Sequence, residues 1–220
     1  MQQISLDLAA TLSPSAYQVG ERAAGGTHEV VLTKPHVVDL ILDLAGYTPR
    51  KNLTTLALLE PACGRGAFLL PAVRQLLGSA RQHCTPVERL RDAILAYDID
   101  ESHVESSRAA LVELLQGDGL AALTARDLAE RWVVHADYLL APQSRRFDFV
   151  VGNPPYIRIE QIPEGAHNEY RSRDSSLYDR ADLYVAFIVR SLGLLSDGGV
   201  LCFICADRWT LNRYGAPFGG

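Results

Sequence analysis

The tetrapeptide Asn153-Pro154-Pro155-Tyr156 combines residue types suited to activating an amine. Its two prolines remove two N–H donors and fix φ twice. The Pro154 carbonyl and the Asn153 side chain are thereby held as a rigid pair of acceptors. Such a pair suits an NH₂ group on a planar carbon. Accepting both hydrogens draws the nitrogen toward sp³ and frees a lone pair otherwise delocalised into a ring or carbonyl. Tyr156 adds a flat face on which a planar substrate can stack. A bare proline-rich loop is the plain alternative, and the rest of the chain argues against it.

Three acids and a glycine turn outline a pocket beside that corner. Glu60-Pro61-Ala62-Cys63-Gly64-Arg65-Gly66-Ala67-Phe68 links an apolar strand to a helix. Two glycines allow a sharp turn and close approach to a ligand. The helix that follows offers unpaired N–H groups to a carboxylate or phosphate. A dinucleotide fingerprint is incomplete, because Leu69 stands where the third glycine belongs. Asp98, next to Ile99, ends the second strand and can accept two hydrogen bonds from a ribose diol. Asp137 follows the third strand and can accept from an adenine amino group, with Tyr138 near the ring. Each acid alone is more often a loop residue or a helix cap. Three at successive strand ends beside a glycine turn outline a nucleoside pocket.

The elements that must position these residues alternate strand and helix. Strands are expected at Leu56–Leu59, Ala93–Tyr97, Arg131–His135, Phe147–Val151 and Val200–Cys205, the last entered through Asp197-Gly198-Gly199. Helices are expected at Ala67–Leu77, Glu101–Leu115 and Asp182–Leu195. Thr33 reads as the N-cap of a further helix, with Pro35 in its first turn and an apolar stripe of Val37, Val38, Leu40, Ile41 and Leu44. This rhythm predicts an α/β fold: a doubly wound, mostly parallel sheet with helices on both faces. Ligands of such sheets bind at the carboxyl ends of the strands. Residues 1–32 read as an irregular lead-in, 33–214 as the catalytic domain and 215–220 as a tail. The polar, aromatic-dotted stretch from Ile157 to Arg180 reads as a functional lid.

Composition sets the limits. The chain has 220 residues, 48% apolar and 21% charged, with a formal charge of −5. That balance excludes global disorder and allows a core without staples. The acidic charge gives no basic footprint for nucleic acid, so affinity for it must come from a local patch or a further part. No signal peptide is visible, and no apolar run reaches the roughly 18 residues that span a bilayer. Cys63, Cys84, Cys202 and Cys205 read as reduced thiols of a cytosolic protein. Cys202 and Cys205 have zinc-knuckle spacing but sit on a strand, where residues three apart face opposite sides, so no metal is expected.

Taken together, these motifs resemble the class I S-adenosylmethionine-dependent DNA methyltransferases that modify adenine N6, in the TaqI-type (gamma) order. The resemblance covers residues 25 to 214. Thr33-Lys34-Pro35, Glu60 to Phe68, Asp98, Asp137-Tyr138 and Asn153 to Tyr156 match that family's motifs in order. So do Asp182 to Leu195 and Asp197 to Ala206. It implies S-adenosylmethionine as cofactor, its carboxylate near Thr33, Gly64 and Gly66 and its positive end over Glu60. It implies Asp98 on the ribose hydroxyls, Asp137 on the adenine amino group, and double-stranded DNA as substrate. A target adenine would flip out, stack on Tyr156 and present N6 to Asn153 and Pro154.

The family's last two strands, a later aromatic motif and the target-recognition domain are not matched. The expectation is a catalytic part whose recognition domain or partner subunit lies elsewhere. Protein glutamine-N5 methyltransferases share Asn-Pro-Pro-Tyr followed by Ile, and the tetrapeptide does not exclude a ribosomal RNA adenine methyltransferase. A non-catalytic or split subunit of a DNA modification complex is the remaining alternative.

Overall fold

The computed structural model describes residues 33–157, Tyr170 and residues 183–205. Five strands form one parallel sheet: β1 (Leu58–Glu60), β2 (Ile94–Asp98), β3 (Val133–His135), β4 (Phe147–Gly152) and β5 (Leu195–Phe203). Their order is β3-β2-β1-β4-β5, so the chain winds outward from β1 in both directions. The expected doubly wound α/β fold is the one observed.

Alternation along the strands divides the core between the two faces. Leu58 and Val151 join a large cluster built with α1 (Pro35–Ala45), α2 (Leu69–Gln82), α3 (Glu101–Gly117) and α4 (Ala122–Trp132). Leu59 and Val150 join a second cluster on the other face, closed by Leu183, Ala186 and Phe187 of α5 (Leu183–Gly193). Cys202 packs on the first cluster, and Cys205, two residues past the end of β5, lies near Tyr184 and Val185. All four cysteines are free.

Several expectations shift. The α1 N-cap is Lys34, not Thr33, because the residue before Pro35 is kept out of the helical region and Lys34 is extended, with φ −66 and ψ 140. The buried stripe of α1 is Val38, Leu42 and Ala45, while Leu40 and Leu44 are exposed. The residues read as the start of the third strand, Arg131 and Trp132, end α4 instead. That helix buries Ala125, Leu128, Ala129 and Trp132 at helical spacing, and Trp132 Nε1 donates to Leu90 O. Its small alanines gave little apolar signal. Asp197-Gly198-Gly199 does not precede β5 but lies within it. Pairing jumps from Phe147↔Leu195 to Phe149↔Val200, so the glycines form an irregularity in the ladder. The lid expectation falls on residues mostly outside those described.

Among the described residues no group of three or more His, Cys, Asp or Glu is placed to hold a metal ion. No helix of theirs is long and apolar enough to cross a membrane.

Candidate active site at the carboxyl edge of the sheet

Parallel pairing brings Glu60, Asp98, Asp137 and Asn153 to one edge, where β1, β2, β3 and β4 end. The glycine turn leaves β1 there. Cys63 N donates to Tyr97 O at 2.8 Å, fastening the turn to β2. Gly64 has φ +53 and Gly66 φ +86, conformations that L side chains adopt only with strain. Space above Gly64 is open, since an added β-carbon would meet nothing within 4 Å. Its N–H donates to Asp98 Oδ2 at 2.7 Å, and its carbonyl accepts from Ser107 Oγ at 2.8 Å. The Oδ1 atom of Asp98 accepts from Asp100 N at 2.9 Å and faces His103 Nδ1 at 3.3 Å. Ile99, the next residue, is 64% exposed, which leaves an apolar surface beside the acid.

Glu60 is the electrostatic oddity. It is 1% exposed, and its Oε2 has no hydrogen-bond partner among the described residues. Burial raises its pKa well above the usual carboxylate range, and the nearby Asp98 raises it further. An uncompensated buried acid is a place for a cation.

β4 carries the second half. A β-carbon at Gly152 would lie 3.6 Å from Glu60 Cγ and 3.8 Å from Pro61 Cδ, so this strand's exit touches the start of the glycine turn. Asn153 is half-buried with its Oδ1 shielded from water, and Pro154 is buried. Tyr156 leaves 36% of its surface exposed while its hydroxyl donates to Ile204 O at 2.8 Å. Tyr184 meets its ring at 6.2 Å in an edge arrangement. The peptide after the tetrapeptide is tied as well, Leu183 N donating to Ile157 O at 2.9 Å. An anchored ring with an open face can support a stacked base.

Not every expected residue turns toward this edge. Phe68 and Tyr138 are buried core residues. Phe68 lies in the first cluster, at the N-cap of α2. Tyr138 packs on Phe187, bonds Ser191 Oγ at 2.9 Å and carries Arg190 over its ring. Pro61 is buried and Ala62 half-buried beneath the turn. Asp137 is half-buried; Leu139 N donates to its Oδ1 at 2.9 Å, and the Tyr170 hydroxyl donates to its Oδ2. Thr33 groups with the residues before it as a separate unit. Sequence reasoning missed His103, Ser107 and Tyr170. Ser107 had a legible signal: it is the one polar residue on the buried stripe Val104, Ser107, Leu111, Leu115.

Comparison with known proteins gives a consistent set of matches. The profile of the Eco57I restriction-modification methylase family matches residues 92–219. The type II methyltransferase M.PaeR7I of Pseudomonas aeruginosa is 53% identical over 190 residues, covering 85% of this chain and 33% of that protein. M.XhoI of Xanthomonas vasicola, also a type II methyltransferase, is 46% identical over 191 residues, covering 85% of this chain and 35% of that protein. The chain thus spans about a third of the length of these curated relatives. Among solved structures, a candidate class I S-adenosylmethionine-dependent methyltransferase from Listeria monocytogenes superposes with a TM-score of 0.60 at 17% identity, over 89% of this chain and 52% of that one.

Proposed function

We infer a function from one premise: the chain belongs to the Eco57I restriction-modification methylase family, whose profile matches more than half of it. We propose that it carries the S-adenosylmethionine site and the catalytic corner of a DNA methyltransferase that modifies adenine at N6.

The observation that carries this reading is the contact between the two halves. The Gly152 exit to Asn153 lies against Glu60 and Pro61, at the root of the glycine turn. The residues present fit the cofactor. Glu60 is a buried acid with an oxygen in want of a donor or cation, Asp98 stands at the strand end, Gly64 opens to free space, and Ile99 offers an apolar wall. Glu60 would face the cationic methionine part, with Gly64 and Gly66 toward its carboxylate. Asp98 and Ile99 would hold the ribose and flank the adenine, and Asp137 would take the adenine amino group. Pro61, Ala62, Phe68 and Tyr138 would set the floor. When bound, the cofactor supplies a methyl group made electrophilic by a sulfonium.

This chain's residues do the rest by placement. Asn153 Oδ1 and the Pro154 carbonyl accept the two N6 hydrogens and raise the nitrogen lone pair. Tyr156 stacks the flipped base, its ring held by Ile204 O. Alignment of two bound reactants accounts for up to about 7–11 kcal/mol of the barrier. TaqI-type motif order fits the sequence, with the pocket residues before the catalytic four.

The test is the identity of the product. Labelled methyl from S-adenosylmethionine is offered to duplex DNA, and the DNA is hydrolysed to nucleosides. N6-methyladenine is the expected product. Label on cytosine, or label taken up by RNA or a protein glutamine but not by DNA when these are offered in parallel, would contradict the assignment.

A further inference from the structure

We propose that α3 is a positioning element for the cofactor side of the site: Ser107 and His103 set the Gly64 backbone and the Asp98 carboxylate before any ligand arrives. The inference rests on reading this corner as the S-adenosylmethionine pocket, and it adds two residues outside every matched motif.

Residues 103 and 107 are four apart on a helix and share a face. Ser107 is fully buried in an otherwise apolar stripe, where a hydroxyl is costly unless it bonds. It donates at 2.8 Å to the carbonyl of Gly64, 43 residues earlier in the chain. Its Oγ would also lie 3.4 Å from a β-carbon at Gly66, so it sits beneath both glycines of the turn. Asp98 Oδ2 holds the other polar group of Gly64, its N–H, at 2.7 Å. Both backbone groups of this left-handed residue are thus fixed by side chains.

Asp98 is itself fixed. Asp100 N and His103 Nδ1 converge on Oδ1 at 2.9 and 3.3 Å, and a donating Nδ1 must carry the ring hydrogen. Side-chain exposures of 13% for His103 and 10% for Asp98 shield the pair from water. An ionised carboxylate has about four acceptor positions, and three donors here leave room for a ribose hydroxyl in one direction. α3 therefore orients both the turn and the acid, so that binding costs little reorganisation.

The experiment is calorimetric titration of the 220-residue chain with S-adenosylhomocysteine, beside thermal unfolding. Ser107→Ala should weaken binding about tenfold, the equivalent of about 1.4 kcal/mol. Its unfolding midpoint should stay within about 2 °C of the parent. His103→Phe should weaken binding about fivefold, and His103→Asn, which keeps a donor at the Nδ1 position, should stay within about twofold of the parent. If Ser107→Ala does not fold, the His103 pair carries the test. Unchanged affinity in Ser107→Ala and His103→Phe would overturn the positioning role and leave the cofactor reading standing. Equal losses in His103→Phe and His103→Asn, tracking the unfolding midpoint, would make the role merely structural and overturn it too. Failure of the parent chain to bind would overturn both readings.

Discussion

The two halves of the carboxyl edge are held in place by different means. At β1 and β2, side chains do the holding: Asp98 and Ser107 tie the left-handed Gly64 at its N–H and its carbonyl, and Asp100 N and His103 hold Asp98 in turn. At β4, covalent stiffness adds to the hydrogen bonds. Two prolines restrict the chain after Asn153, and the anchors around them fall on backbone carbonyls: Tyr156 on Ile204 and Leu183 on Ile157. A cradle for a polar ligand needs many oriented donors and acceptors. On the proposed reading, the 153–156 corner would accept a base entering from outside, for which a few rigid atoms and an open face suffice.

Substitutions should separate the halves. The largest effect is expected for Asn153→Ala: methyl transfer falls by about 10²- to 10³-fold, the scale for losing one preorganised polar group. Cofactor affinity by calorimetry should stay within about twofold. Asp98→Ala should do the reverse to binding, weakening the cofactor about 10- to 100-fold through loss of charge-assisted hydrogen bonds. Loss of affinity in the first variant, or retained affinity in the second, would blur the division.

Glu60 sharpens the comparison through pH. Its folded-state pKa is raised by burial and by Asp98. The folded chain keeps a proton that the unfolded chain has already released. Stability from this group is whole below the unfolded value and is lost as pH rises through the folded one. Thermal unfolding followed from pH 5 to pH 8.5 should show a decline that Glu60→Gln reduces by about 2–4 °C. The same variant should bind cofactor more weakly, having lost a carboxyl that can ionise against its cationic end. The smallest effect belongs to Tyr156→Phe. It keeps the stacking ring but frees the Ile204 carbonyl, at a cost of about 1 kcal/mol in stability by denaturant titration. Turnover should change by about threefold or less. Tyr156→Ala, which removes the ring itself, should cost more in turnover.

Legibility in the sequence followed the same division. The placement of adjacent residues was readable: the four at 153–156, the glycine turn and the strand-end acids all fall on one edge of the expected sheet. What escaped was made by distant partners. Ser107 meets Gly64 and Tyr170 meets Asp137 only after the crossovers are wound. Apolar side chains close to a motif were legible in sequence position but not in burial. Phe68 and Tyr138 read as pocket residues by adjacency, but the helix start and the turn after β3 direct them into the core. α4 was hidden because alanines pack closely without a strong apolar pattern. The start of β5 was hidden because Gly198 and Gly199 read as a turn, whereas the ladder absorbs them as an irregularity.

The central claim is that the two halves form one site. A crystal structure of this chain with S-adenosylhomocysteine tests it most directly. The account predicts the ribose hydroxyls on Asp98, the amino-acid part over the Gly64–Gly66 turn near Glu60, and the sulfur facing Asn153. A nucleoside bound elsewhere, or a sulfur turned away from residues 153–156, would contradict it.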